Sequence, residues 1–247
     1  MTQGSKKTSR PVGSSVAAPK RKPIPTRLLI VGGGAVIILL LVVLLVVANQ
    51  PTPVSAEVYE GFPEEWVTRD SLGNPDAPVV IQGWEDFRCP ACSQWTRTIK
   101  PQLMANYIQP DGAVDAGSVR FEYHYFPLTS HGETAFLAAQ AAECAADQGG
   151  FWVYHDRLFN ATDEGPAGFT LDRLQSYANE VGLDGAALSQ CVVSQKYAEE
   201  VNASVAQAIS MGLNSTPSII VNGQLIENGF DYQALSAEIR RLIEQAD

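Results

Sequence analysis

The chain has 247 residues, 45% of them apolar and 18% charged, which is room for one ordinary domain with extensions rather than for two cores. The formal charge is −10 but unevenly placed: the first 48 residues hold seven of the 17 Lys and Arg and none of the 27 Asp and Glu. The remainder, with 10 basic against 27 acidic side chains, stands at −17, and so acidic a body excludes nucleic acid as a partner, because phosphates require a basic footprint.

Residues 1–27 are rich in Ser, Thr, Gly, Pro, Lys and Arg, with too few large apolar side chains to bury a core, and are expected to form a disordered cytoplasmic tail. Leu28 to Ala48 follows as 21 residues without a charge. At about 1.5 Å rise per residue it spans the roughly 30 Å hydrocarbon layer, so it reads as a single transmembrane helix. Lys6, Lys7, Arg10, Lys20, Arg21, Lys22 and Arg27 all precede it. The positive-inside bias then leaves a single-pass protein of the cell membrane, its N-terminus cytoplasmic and its acidic domain extracytoplasmic. A cleaved signal peptide is the competing reading, with Val54-Ser55-Ala56 as a passable cleavage site. The apolar run exceeds the roughly 7–15 residues of a signal h-region, which favours a retained anchor. Either way the body is exported, and its cysteines stand where disulfides persist.

Asn49 to about Arg69 reads as a linker, with Phe62 and Trp66 packed on the edge of a folded domain that occupies 70–247. Ala77 to Trp84 is a short apolar run that suits a buried strand. Pro90 to about Tyr107 is helical in composition with a kink expected at Pro101. Val119 to Phe126 is aromatic and β-branched enough for a second strand. Helical segments follow at Gly132–Asp147, Phe151–Asn160, Leu171–Val181 and Ala186–Met211, the last broken near Ser194. Ser218–Val221 and Gln224–Ile226 flank Asn222-Gly223, a strong hairpin signal. The chain closes with an amphipathic helix, Asp231–Gln245, that puts Leu235, Ile239 and Leu242 on one face. The order is β, helix, β, a helical block over about 130–212, a hairpin and a helix: an α/β fold.

Between the first strand and the first helix lies Glu85-Asp86-Phe87-Arg88-Cys89-Pro90-Ala91-Cys92. Two cysteines so spaced form half a zinc site, a staple or a redox couple. Zinc needs two further ligands, whereas Cys144 and Cys191 are single cysteines 47 positions apart and His124, His131 and His155 form no HxxxH pair. No metal and no cofactor are expected. A staple across so short a loop would remove little chain entropy. A redox couple fits the position. Cys89 stands at a helix N-terminus, with Pro90 as first helical residue, and unpaired N–H groups there favour a thiolate. Cys92 lies one turn on, on the same face, and can pair with it. Glu85 or Asp86 could take a proton from Cys92, but exposed, solvated carboxylates are the expectation. His131 is expected to cap or pack at the next helix, and His155 to pack with Trp152.

Cys144 and Cys191 lie in apolar helical stretches, and an even cysteine count in an exported domain favours pairing them as a structural disulfide over two buried free thiols. The loop closed would contain about 48 residues, which the chain-entropy argument equates with about 4 kcal/mol.

These residues together resemble the thioredoxin superfamily and, within it, the DsbA-like thiol–disulfide oxidoreductases, whose fold carries a helical insertion between the second strand and a Thr-Pro hairpin. The resemblance spans about Ser71 to Asp247 and rests on GNPDAPVVI (Gly73–Ile81), WEDFRCPAC (Trp84–Cys92), YHYFPL (Tyr123–Leu128), the insertion pattern Ala138–Phe159 and STPSIIVNGQLI (Ser215–Ile226). It implies Cys89 and Cys92 as the catalytic couple, with Pro90 and Ala91 as the active-site dipeptide. It also implies a cis Thr216-Pro217 bond in a loop facing the couple, where the backbone before proline pairs with an extended substrate segment. Exported proteins with reduced cysteines are the implied substrates, and a membrane quinone-linked oxidase the implied reoxidising partner. Strongly oxidising members often carry His between the cysteines; this chain has Ala91. An isomerase or reductase on the same fold, or a non-catalytic adaptor, therefore stands as the alternative.

Overall fold

Alternation along two strands, apolar toward one side and mixed toward the other, sets the architecture of this computed structural model, which describes residue 59 and residues 61–246. The tail at 1–27, the transmembrane helix at 28–48 and the linker residues 49–58 and 60 lie outside the described residues. Among the described residues no helix is long and apolar enough to cross a membrane.

Strand β1 is Ser71–Gly73, β2 Val79–Glu85, β3 Val119–Tyr125, β4 Ser218–Val221 and β5 Gln224–Ile226, in the sheet order β1-β3-β2-β4-β5. Only β2 and β3 run parallel; the other three pairings are antiparallel. A parallel pair needs a crossover, supplied by helix α1 (Pro90–Thr98), the short helix α2 (Lys100–Leu103) and a π-turn, Met104–Ile108. The break expected at Pro101 falls at Ile99, just before it, and the last turn widens instead of continuing as α-helix. β1 is an addition to the expected strands; three residues are too few to show periodicity.

The registers place Ile81 beside Phe121, Gly83 beside Tyr123 and Glu85 beside Tyr125 on one face. Gly83 makes this face possible, because a Cβ there would lie 2.8 Å from the Phe121 ring and 2.7 Å from the Glu85 carboxylate. Trp95, Phe87, Phe151, Phe159, Leu235 and Ile239 join the core above it. On the opposite face Trp84 stacks on His124 at 4.4 Å and packs with Phe126, Ala208, Leu213 and Ile220.

The insertion comprises α3 (Glu133–Ala146), α4 (Phe151–Asn160), 3-10 turns over Thr162–Phe169, α5 (Leu171–Glu180), α6 (Gly185–Val193) and α7 (Ala198–Ser210). The break expected near Ser194 separates α6 from α7; Asp184 caps α6 by accepting from the Ala187 N–H. After the hairpin, α8 (Tyr232–Ala246) closes the fold. Cys144 of α3 and Cys191 of α6 are joined in a disulfide. The domain edge begins earlier than residue 70: Tyr59, Phe62 and Val67 already pack against the core.

Candidate active site

β2 delivers the chain to the site, and a buried carboxylate turns it. Asp86 accepts from the Arg88 N–H at 2.8 Å, the Leu128 N–H at 2.9 Å and His131 Nδ1 at 2.6 Å. Arg88 donates to the His131 carbonyl and to Thr134 Oγ1, which ties the same loop to the start of the insertion. Held by these bonds, Cys89 takes an extended conformation as N-cap of α1, and Pro90 begins the helix. The fixed φ of proline suits that position, where no N–H is needed.

Both cysteines are free thiols, Cys92 fully buried and Cys89 7% exposed. Cys92 donates to the Cys89 sulfur, which outweighs desolvation and, with Thr216 and the backbone N–H groups of Cys92 and Ala91, brings the Cys89 thiol down to about 5. Burial pushes the Cys92 thiol well up, reinforced by the hydrogen bond to Cys89 and the Glu85 charge. The couple is therefore split at neutral pH into one thiolate and one thiol. Cys89 Sγ lies 3.4 Å from the Thr216 carbonyl oxygen. The Thr216-Pro217 bond is cis and faces the couple.

Titration of the reduced protein should show this asymmetry. A thiol held below its ordinary value stabilises the folded, reduced domain most above that value, and the contribution is lost as pH falls through about 5. Thiolate absorbance in the far ultraviolet should follow the same midpoint and vanish in Cys89→Ala. A single midpoint at about 8.5, as for a free cysteine, would contradict the assigned thiolate.

The expectation of exposed, solvated carboxylates is corrected: Glu85 and Asp86 are each 1% exposed. Val79, Ile81, Gly83 and Glu85 share one side of β2, so strand alternation itself turns Glu85 into the core. Its Oε2 accepts from Thr96 Oγ1 at 3.4 Å and its Oε1 has no partner. Desolvation lifts this acid to about 8, against the opposing charge of Lys100. Asp86 is buried for another reason, as the anchor of the loop. His131 packs at the start of the insertion, bonded to Asp86, and does not cap the next helix, whose N-cap Gly132 receives no side-chain bond; His155 packs on Trp152 as its sequence setting suggests.

The structure brings Cys89, Pro90, Ala91, Cys92, Thr216 and Pro217 together; Cys144 and Cys191 belong to the insertion. Sequence reasoning missed Lys100, buried among Tyr59, Asp156 and His155. The spacing Cys92, Thr96, Lys100 was its signal, since residues four apart share a helix face. Among the described residues no His, Cys, Asp and Glu cluster could hold a metal ion.

A family model described as thioredoxin matches residues 66–241. The probable disulfide bond formation protein D of Bacillus cereus is 30% identical over 179 residues, covering 70% of this chain and 80% of the relative. The Na(+)/H(+) antiporter NhaA 3 of Salinispora tropica is 33% identical over 173 residues, 69% of this chain but only 24% of that protein, so the chain spans about a quarter of that relative's length. Among solved structures, oxidised BdbD from Bacillus subtilis superposes with a TM-score of 0.64 at 26% identity, covering 71% of this chain and 92% of that one.

Proposed function

The chain belongs to the thioredoxin family, among its DsbA-like thiol–disulfide oxidoreductases, and from that premise we propose that it introduces disulfides into exported proteins through Cys89 and Cys92. The observation that carries this direction is the lowered Cys89 thiol beside a buried Cys92. A stabilised thiolate favours the reduced couple, and a couple that prefers to be reduced oxidises its partners.

With the couple oxidised, a substrate thiolate attacks Cys89 Sγ and the Cys89–Cys92 bond breaks. Cys92 leaves as a thiolate in the core. Glu85, a buried acid lifted by desolvation, supplies its proton. A second substrate thiolate then attacks the substrate sulfur of the mixed disulfide and releases Cys89 as a thiolate, so two electrons pass from the substrate to the couple. Thr216, its carbonyl beside Cys89 Sγ, is positioned to meet an extended substrate backbone.

Reoxidation falls to a membrane quinone-linked oxidase, and the uncharged run Leu28 to Ala48 would hold the domain at the outer face of the cell membrane, near that partner. In Cys92→Ala the Cys89 thiolate should attack a disulfide already formed in an exported protein, one substrate sulfur leaving as a thiolate. The mixed disulfide then accumulates because no second cysteine releases it, to be identified by mass spectrometry after non-reducing isolation. Capture of exported, cysteine-containing proteins is the expected result. Failure to accumulate any Cys89-linked protein would overturn the proposed role.

Ala91 favours a second reading, because no imidazole stands between the cysteines to assist Cys89. A reductase would show a reduction potential close to thioredoxin's, about −270 mV, and an isomerase one close to about −180 mV, rather than about −120 mV.

A further inference from the structure

Asp86 ties together the two loops that flank the couple, and one imidazole completes the tie. The Asp86 backbone carbonyl accepts from the Cys89 N–H at 2.9 Å. Its carboxylate is wholly buried and accepts from the Arg88 N–H on Oδ1, and from the Leu128 N–H and His131 Nδ1 on Oδ2, the last at 2.6 Å. A carboxylate has no proton to give, so His131 presents Nδ1 as N–H. The return bonds come from Arg88, which donates to the His131 carbonyl and to Thr134 Oγ1. Together these bonds clasp the loop before Cys89 to the 3-10 turn Thr129–His131.

We propose that His131 is a positioning residue for the exchange reaction: by donating Nδ1–H to Asp86 it holds the loop that sets Cys89 at the start of α1, and through that loop it sets the reduction potential of the couple. The inference rests on Cys89 and Cys92 being the reacting pair and not on the direction in which they run.

The link from ring to sulfur is short. Cys89 caps α1 without a side-chain bond to the helix, so its placement falls to the loop before it and to the bond from its N–H to Asp86. Only in that placement do the first N–H groups of α1, those of Ala91 and Cys92 among them, favour the Cys89 thiolate. Without the His131 donor the buried carboxylate keeps two N–H partners and is less well compensated, three positions before Cys89. A loosened loop and a less compensated negative charge act in the same sense, against the thiolate. A couple whose thiolate is less stable is less ready to be reduced, and its potential falls.

The test is the redox equilibrium of the full-length chain in detergent against glutathione buffers, with the couple read by alkylation and mass spectrometry. His131→Leu should move the equilibrium toward the oxidised couple by about three- to tenfold, the scale of one hydrogen bond, and should raise the Cys89 thiolate midpoint. His131→Asn puts an amide N–H in the place of Nδ1 and should lie nearer wild type than His131→Leu in both readings. A wild-type equilibrium in His131→Leu with native near-ultraviolet dichroism would overturn the proposal, as would a His131→Asn protein that lies nearer His131→Leu. Should His131→Leu not fold, the wild-type protein decides. A bond that sets the redox equilibrium is itself altered by the redox state, so the His131 Nδ1–H proton resonance should move between the oxidised and reduced forms. The same resonance in both overturns the proposal. Equilibration with glutathione needs no protein substrate, so a wild-type potential near thioredoxin's would refute the oxidase role while the shift between variants still decides this one.

Discussion

Replacing Cys89 with serine should reduce oxidation of a reduced, multi-disulfide substrate to the uncatalysed rate. The reason lies in which atom can hold the bond. A substrate thiolate must attack a sulfur, and a serine oxygen can neither form the Cys89–Cys92 disulfide nor carry the mixed one. Cys92 cannot take over, because it is fully buried and its thiol is held well above the ordinary value. The loss should be chemical and not a consequence of unfolding. Cys89 is the N-cap of α1 and makes no side-chain capping bond, and serine is among the residues preferred there. Near-ultraviolet dichroism should therefore match wild type while the refolding rate falls to background. Cys92→Ala supplies the contrast: its Cys89 thiolate still attacks a disulfide in a substrate and then stalls as the mixed disulfide, because no second cysteine releases it. Refolding above background by Cys89→Ser would mean that the couple is not the reacting group.

Much of this site was legible because its parts obey local rules. A strand ending before a cysteine, a proline after it and a second cysteine one turn on place a thiolate at a helix start without any knowledge of the rest of the chain. The hairpin showed itself through Asn222-Gly223 in the same way; Asn222 has a positive φ of 44° and Gly223 of 82°, as tight turns between strands require. What local rules could not supply was the environment of the carboxylates. Glu85 was misjudged because a charged side chain next to a reactive cysteine suggests solvent, whereas the strand period that buries Ile81 and Gly83 applies equally to it. Asp86 is buried for a tertiary reason: its partners at Leu128 and His131 lie 42 and 45 residues away. Lys100 depends on Asp156, 56 residues on. Such pairings have no periodic signature, so the helix face was readable and its counter-ion was not.

Removing the Cys144–Cys191 disulfide should cost the domain about 2–4 kcal/mol of stability. The bridge spans 47 positions and encloses α4, the 3-10 turns and α5, so the unfolded chain gains considerable freedom when it is cut. Cys144 is buried, and alanine leaves only a small space in a helix already built from alanines. The double replacement Cys144→Ala/Cys191→Ala should thus report mainly the lost cross-link, read as a lower urea midpoint at unchanged slope, with Cys89 and Cys92 kept reduced in both proteins. A loss below about 0.5 kcal/mol would show that the insertion is held by packing alone. The enclosed segment also bears on the site. From α4, Phe159 accepts at its carbonyl from Ser93 Oγ and from Arg97, both on α1, and Asp156 holds Lys100. Thr162 donates to the Phe87 carbonyl just before the couple. The staple therefore secures the segment that buttresses the helix of the couple, and cutting it should speed amide exchange in α4 ahead of α1. The thiolate midpoint of Cys89 should stay in place, because neither sulfur of the staple is among the groups that set it.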